Sequence, residues 1–316
     1  MNKKLKKQNN NHIAEITFWG VRGSIPSPGA STAYFGGNTS CISIKYKDRY
    51  IILDAGSGIR IFGNHLIKEN KISGNKVDLF ISHTHWDHIQ GLPFFATAFI
   101  KGNTIRILGP KLFGTPFEKV ISNQMEHSYF PIRLKNLSAD IKFCELAIGR
   151  YENLIDDITV ETILNNHPVI DMGYKFIFPN NKILCYISDF EYYSDFYYQS
   201  LKKSNKPALE KIGRKVLSDL RIQFLNFIEN CDVLIIDSVY AKEEYPKKIG
   251  WGHSVFEDIF EVATKAKVKH LCFFHHEPNS TDEHLKNIEK QYNTLNKKIK
   301  LIQKITVARE GLTINI

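Results

Sequence analysis

Residues 83–88 constrain this chain more than any other segment, because three histidines and one aspartate fall within them. The apolar run Val77–Ile81 directly precedes them and predicts a strand that ends where the polar residues begin. Since side chains alternate along a strand, His83 and His85 are expected on the same side. Imidazole and carboxylate together are ligands that suit zinc, iron or manganese. The segment therefore predicts a metal site at a strand end, with positions open to solvent and substrate.

Other residues of ligand type also follow apolar runs. His167 comes after the run 158–164, Asp189 ends the run 183–188, and the adjacent His275 and His276 follow the run 270–274. The ends of strands are where an α/β sheet places its chemistry. These residues are therefore candidates to join the first cluster in space.

The motif at 83–88 resembles the His-x-His-x-Asp-His signature of the metallo-β-lactamase superfamily. The other polar residues appear in the order expected of that superfamily, from about residue 15 to the C-terminus. Trp-Gly-x-Arg-Gly-Ser at 19–24 and Gly-Gly-Asn-Thr-Ser at 36–40 resemble a subgroup that includes phosphoribosyl cyclic phosphodiesterase-like and ribonuclease Z-like hydrolases. The resemblance implies an α/β fold, a four-layer αββα sandwich.

The resemblance also implies two divalent ions, zinc first, with manganese or iron as alternatives. On the family pattern the ligands would be His83, His85 and His167 for the first ion, Asp87, His88 and His275 for the second, and Asp189 between them. His276 is the alternative last ligand, because neighbouring residues on a strand point in opposite directions. Such a pair of ions would activate a hydroxide for attack on a phosphodiester.

Three side chains are candidates for proton transfer. His253 lies in Gly-Trp-Gly-His-Ser, which resembles an element of phosphodiesterases in this superfamily and would donate a proton to the leaving oxygen. Asp237 ends an apolar run, and a hydrogen bond that it accepts from His253 would raise the pKa of that histidine. Asp87 would act both as ligand and as acceptor for the proton of the attacking water. The alternative is that His253 or Ser254 only caps a helix.

Arg22 and Asn38 are candidate substrate-binding residues on the phosphate side, although they could equally only shape a glycine-rich loop. The tyrosine-rich stretch that begins at Tyr192 could stack a base. Helix packing or a contact between two copies of the chain would explain that stretch as well.

The chain has 316 residues and no obvious internal linker. We expect a disordered basic tail over 1–12 and a single domain over 13–316, with inserts near 111–155 and 190–230. Helices are predicted over 59–70, 91–100 and 255–266, and a strand pair or hairpin over 304–316.

No apolar run approaches the length of a membrane span, no secretory signal is evident, and the scattered cysteines predict reduced thiols in a cytoplasmic protein. The net charge of +9 favours anionic substrates. We therefore expect a metal-dependent phosphodiesterase for a small cyclic or nucleotide-like phosphodiester. The alternatives are an RNA-processing nuclease of ribonuclease Z type and a non-catalytic metal sensor. A homodimer is also possible on this sequence.

Overall fold

Two seven-stranded sheets form the framework of the computed structural model, which describes residues 13–194 and 207–316. The first sheet contains β1 (Glu15–Gly20), β2 (Cys41–Tyr46), β3 (Arg49–Leu53), β4 (Lys76–Phe80), β5 (Thr104–Pro110), β6 (Asp140–Leu146) and β14 (Thr313–Asn315). The second contains β7 (Arg150–Ile155), β8 (Ile158–Leu164), β9 (Met172–Phe178), β10 (Lys182–Ile187), β11 (Val233–Asp237), β12 (His270–Phe274) and β13 (Lys304–Val307). Their orders are β14-β1-β2-β3-β4-β5-β6 and β13-β12-β11-β10-β9-β8-β7.

Helices cover the outer face of each sheet. They are α1 (Gly58–Lys68), α2 (Trp86–Ile89), α3 (Phe117–Asn123), α4 (Pro207–Ile228), α5 (Phe256–Lys265) and α6 (Asp282–Ile299). Phe62 of α1 is buried in the apolar cluster on the first sheet, and Ile259 of α5 and Leu285 of α6 are buried in the cluster on the second. The inner faces of the sheets pack on each other, as Phe80 does on Phe176 at 5.2 Å between ring centroids. This confirms the predicted αββα sandwich.

The directions of the strands explain where polar residues gather. In the first sheet β3, β4 and β5 are parallel, and in the second β10, β11, β12 and β13 are parallel. β8 points the same way as β10, because both are antiparallel to β9. The carboxyl ends of β8, β10, β11 and β12 therefore lie along one edge of the second sheet.

Two local expectations differ from the structure. Residues 304–316 form two strands that join different sheets rather than a hairpin, so the C-terminus connects the layers. The helix expected over 91–100 is replaced by short 3₁₀ turns after α2. The second half of the expected insert over 111–155 supplies β6 and β7, the edge strands of the two sheets. The expected tail over 1–12 lies outside the described residues.

Two further expectations from the sequence concern membrane-spanning helices and the redox state of the cysteines. Within the ranges that the structure describes, no helix combines the length and the apolar character needed to cross a bilayer. All five cysteines are free thiols, as expected. The cytoplasmic location itself stays a prediction.

A buried histidine away from the site ties stability to pH. His270 in β12 lies 2.8 Å from Thr306 Oγ1, and burial together with the charge of Lys304 lowers its pKa to about 4. The unfolded chain therefore binds the proton more strongly, so the stabilising effect of a neutral His270 is complete above pH 6.5 and declines as the pH falls towards 4. From pH 7.5 to pH 5, wild type should lose about 2 kcal/mol more unfolding free energy than His270→Gln, as urea denaturation would show. Equal losses in the two proteins would contradict this.

Candidate metal centre

Residues from four strand ends converge where the two sheets meet. His83, His85, His167 and Asp189 form one group whose nitrogen and oxygen atoms lie within 4.8 Å of one another. Asp87, His88, Asp189 and His275 form a second group by the same measure. The segment after β4 supplies the residues 83–88, and the ends of β8, β10 and β12 supply the others. The structure thus brings together all the sequence-predicted ligands apart from the alternative His276.

Asp189 belongs to both groups, and each of its oxygens faces one of them. Oδ1 lies 3.0 Å from His275 Nε2 and 3.2 Å from His88 Nε2. Oδ2 lies 3.7 Å from His83 Nε2 and 3.9 Å from His167 Nε2. Burial would raise the pKa of this carboxyl, but the charges of His275 and His88 hold it well below its usual range. A carboxylate so placed can bridge two cations.

The histidines that point Nε2 into the centre are held by contacts at Nδ1. His83 Nδ1 is 2.8 Å from Asp171 Oδ2, and His167 Nδ1 donates to the carbonyl of Gly252 at 3.1 Å. His83 Nε2 is buried and has no hydrogen-bond partner among the described residues. An inward nitrogen without a partner, opposite an oriented one, is the arrangement of a metal-binding histidine. A donor set of imidazole and carboxylate without sulfur fits zinc, manganese or iron.

Asp54 is a residue that the sequence analysis left without a role. It accepts hydrogen bonds from His88 Nδ1 at 2.8 Å, from the Tyr186 hydroxyl at 2.6 Å, and from the amide of Ser82 at 2.7 Å. Its own backbone has a φ of 59°, a conformation that a non-glycine residue adopts only at a cost. The sequence signal was its position between the apolar strand β3 and the Gly-Ser-Gly that follows. Asp171, which orients His83, gave no signal.

The adjacent histidines after β12 are separated by their contacts. His275, with a φ of 62°, turns its Nε2 to within 3.2 Å of Asp87 Oδ2. His276 Nε2 instead donates to the carbonyl of Ala308 at 2.7 Å, and burial lowers its pKa to about 3. The turned backbone is what sends the two side chains apart, and the ring that reaches the centre is that of His275.

His253 and Asp237 lie at the edge of the centre. His253 Nδ1 is 2.6 Å from Asp237 Oδ2, and its ring stacks on that of His275 at 5.1 Å between centroids. Burial lowers the pKa of His253, but Asp237 outweighs this and raises it to about 9. Asp87 is buried and accepts the Ser24 amide at 2.7 Å. His253 sits in a loop that precedes α5, not at a helix cap position.

The family model described as Anti-Pycsar protein Apyc1 matches residues 17–210, which is more than half of the chain. The chain belongs to the Apyc1 family. Ribonuclease Z of Picrophilus torridus is 28% identical over 298 residues, covering 86% of this chain and 88% of that protein.

Solved structures resemble the Apyc1-family chain in fold. The metallo-β-lactamase fold protein YhfI of Bacillus subtilis has a TM-score of 0.63 at 16% identity, covering 96% of this chain and 99% of YhfI. The short form of human tRNase Z has a TM-score of 0.60 at 19% identity, covering 95% and 98%. The resemblance to the metallo-β-lactamase superfamily is confirmed, as is the prediction of a metal-dependent phosphodiester hydrolase. The two His and Asp groups described above could hold divalent ions.

Arg22 of this Apyc1-family chain does not lie in the metal centre. Its side chain is fully buried, and its guanidinium donates to the carbonyls of Gly36 at 2.8 Å and Ser280 at 2.7 Å. Asn38 likewise bonds the Glu310 carboxylate at 3.1 Å. These contacts hold loops together. The complete burial of Arg22 does not agree with a contact to substrate, whereas the substrate contact of the part-buried Asn38 stays a prediction.

The aromatic residues that were predicted to stack a base fall into two sets, one packed in the core and one outside the described residues. Tyr193 is buried and meets Phe190 edge-on at 5.7 Å, and Phe190 stacks on Phe224 of α4 at 4.4 Å. These aromatic residues pack a helix onto the second sheet. Phe196, Tyr197 and Tyr198 lie outside the described residues.

The two histidines after β12 give a direct test of the metal centre. We expect His275→Ala to lose one metal equivalent per chain relative to wild type, because it removes a ligand that faces Asp87 and Asp189. His276→Gln should keep the wild-type metal content, since its side chain bonds a backbone carbonyl. Metal analysis of the purified, folded variants measures both. Loss of metal in His276→Gln but not in His275→Ala would reverse the assignment.

Proposed function

We propose that this protein binds two divalent ions, zinc first, and hydrolyses a small cyclic or nucleotide-like phosphodiester. The observation that carries the proposal is the pair Asp237 and His253, joined at 2.6 Å and stacked on the candidate ligand His275. Two bound ions would activate water and neutralise the charge on a phosphodiester. What the centre then still needs is a proton for the leaving oxygen, and His253 stands at its edge.

The contacts of His253 support a role in proton transfer. Asp237 accepts the Nδ1 proton, so Nε2 is the nitrogen left to serve the substrate. A buried carboxylate of this kind holds one tautomer and stabilises the charged ring. We assign His253 as proton donor to the leaving oxygen and Asp237 as the residue that positions it. Asp87, beside His275 and His88, is the candidate acceptor for the proton of the attacking water.

The cavities beside the centre support a small substrate. Tyr240 meets His253 edge-on at 6.1 Å and lines a cavity of about 680 Å³ together with Lys247 and Lys248. Thr84 and Trp86, which alternate with the ligands, line another of about 570 Å³. Both volumes are in the range of pockets that hold small molecules. The two lysines share the first cavity with Glu243, Glu244 and Glu277, so its lining carries charges of both signs.

A nuclease of ribonuclease Z type is the second candidate. The ribonuclease Z of Picrophilus torridus matches most of the chain, and the net charge of +9 suits a polyanion. The two candidates share the same metal chemistry and differ in how much of the substrate the protein contacts. A homodimer stays a prediction.

Substitution of His253 tests the proton-donor assignment. A cyclic nucleotide loses an alkoxide, which needs a proton, whereas bis-p-nitrophenyl phosphate loses p-nitrophenolate, which does not. We expect His253→Ala to lower kcat on the cyclic nucleotide by roughly 10²- to 10⁴-fold and to have a much smaller effect on the nitrophenyl ester. Steady-state kinetics at equal metal content measures both.

A matched control is His127→Ala, which removes an exposed histidine in the segment between α3 and β6. It should behave as wild type on both substrates. Equal losses on the two substrates in His253→Ala would remove the proton-donor role.

Salt dependence separates the two candidate substrates. RNA binding neutralises several phosphates, and for single strands log K falls with log salt with a slope of about −0.7 per phosphate contacted. A substrate with one phosphate should therefore show a kcat/KM that falls with a slope no steeper than about −1. Turnover of 2′,3′- and 3′,5′-cyclic nucleotides and of a tRNA precursor, each from 50 to 200 mM salt, makes the comparison. Preferred and steeply salt-dependent cleavage of the precursor would favour the nuclease.

A further inference from the structure

Glu191 is an acid two residues after Asp189, and it is buried, with 2% of its surface exposed. Its main-chain amide donates to the carbonyl of Asn166 at 2.9 Å, and its carbonyl accepts from Asn166 Nδ2 at 2.8 Å. The backbone of Glu191 therefore ties the end of β10 to the segment that carries His167.

The side chain of Glu191 reaches a different segment. Oε1 accepts the Tyr245 hydroxyl at 2.6 Å and the amide of Gly250 at 2.8 Å. Oε2 accepts the amide of Gly252 at 3.0 Å. Three donors from one loop thus converge on one buried carboxylate, in the manner of a backbone site for an anion.

The two glycines make this convergence possible. Gly250 and Gly252 both have a φ of 86°, a conformation that favours glycine. A Cβ on Gly252 would lie 2.3 Å from His167 Nδ1, so only glycine allows this close approach. Between them, Trp251 is exposed. The amides of Gly250 and Gly252 thus point inward to Glu191, while the side chain of Trp251 points outward.

The loop held by Glu191 touches both histidines of interest. The carbonyl of Gly252 accepts the Nδ1 proton of His167 at 3.1 Å. The next residue is His253, whose ring lies 5.8 Å from that of His167 between centroids. A carboxylate that fixes Gly250 and Gly252 consequently fixes the acceptor for His167 and the start of His253.

We propose that Glu191 is a positioning residue that fixes His253 over the metal centre and His167 within it, by clamping the loop 250–252. The inference rests on the proposed function, in which His253 protonates the leaving oxygen. Glu191 is not among the candidate ligands and acts through the amides of the loop. The same clamp links three segments that carry Asp189, His167 and His253.

The test uses Glu191→Gln, which keeps the shape but replaces an acceptor by a donor facing the Gly amides. We expect kcat on a cyclic nucleotide to fall by about 10- to 100-fold with little change in KM, and kcat on bis-p-nitrophenyl phosphate to fall much less. In the His253→Ala background the same substitution should add no further difference between the two substrates, because the group it positions is gone. Tyr245→Phe removes one of the donors and should give the same pattern at smaller size if Glu191→Gln does not fold.

A readout independent of turnover is the ¹⁵N spectrum of the histidine side chains in the zinc-loaded protein. Glu191→Gln should move the signals of His253 and His167 and leave that of His270 in place. Asp232→Asn is the matched control: Asp232 is buried and accepts the amide of Ile183 at 2.9 Å, so its loss is structural only. It should show neither effect.

The outcomes separate the two proposals. Equal loss on both substrates, with unmoved histidine signals, overturns the role of Glu191. If Glu191→Gln moves the histidine signals, but His253→Ala lowers kcat equally on the two substrates, the clamp is supported. The proton-donor assignment is then overturned instead.

Discussion

The carboxylate of Asp189 is the interaction on which the rest of this site depends. Several imidazoles crowded into one buried place repel each other once charged, and their burial away from water is costly unless they are paired. Asp189 faces His88 and His275 with one oxygen and His83 and His167 with the other. Its negative charge offsets the repulsion between the charged imidazoles and the cost of burying them. The same charge favours the binding of cations there.

The surrounding fold supplies what one carboxylate cannot, which is orientation. The Nδ1 atoms of His83, His88 and His167 each meet an oxygen from a distant segment, namely Asp171, Asp54 and the carbonyl of Gly252. Asp54 and His275 adopt left-handed backbone conformations at this edge of the sheets. Strain of this kind persists where the surrounding structure compensates for it, and functional sites are where it gathers.

Sequence reasoning succeeded where the signal was local and failed where a residue type misled. The motif at 83–88 is contiguous, so its clustering is visible without a fold. Arg22 illustrates the opposite: an arginine in a glycine-rich loop suggests a phosphate ligand, yet its guanidinium is buried against main-chain carbonyls. Glu191 and Asp171 carried no signal at all, since their importance lies only in which distant atoms they contact.

From the sequence, the family resemblance predicted the sandwich. The apolar runs and the contiguous motif predicted the types of ligand and their positions at strand ends, because both are encoded within a few residues. Tertiary structure alone decided that His275 rather than His276 enters the centre, because one turned backbone sends neighbouring side chains apart. It also decided that β13 and β14 join different sheets. Such outcomes depend on contacts between residues far apart in the chain, and no short stretch of sequence contains them.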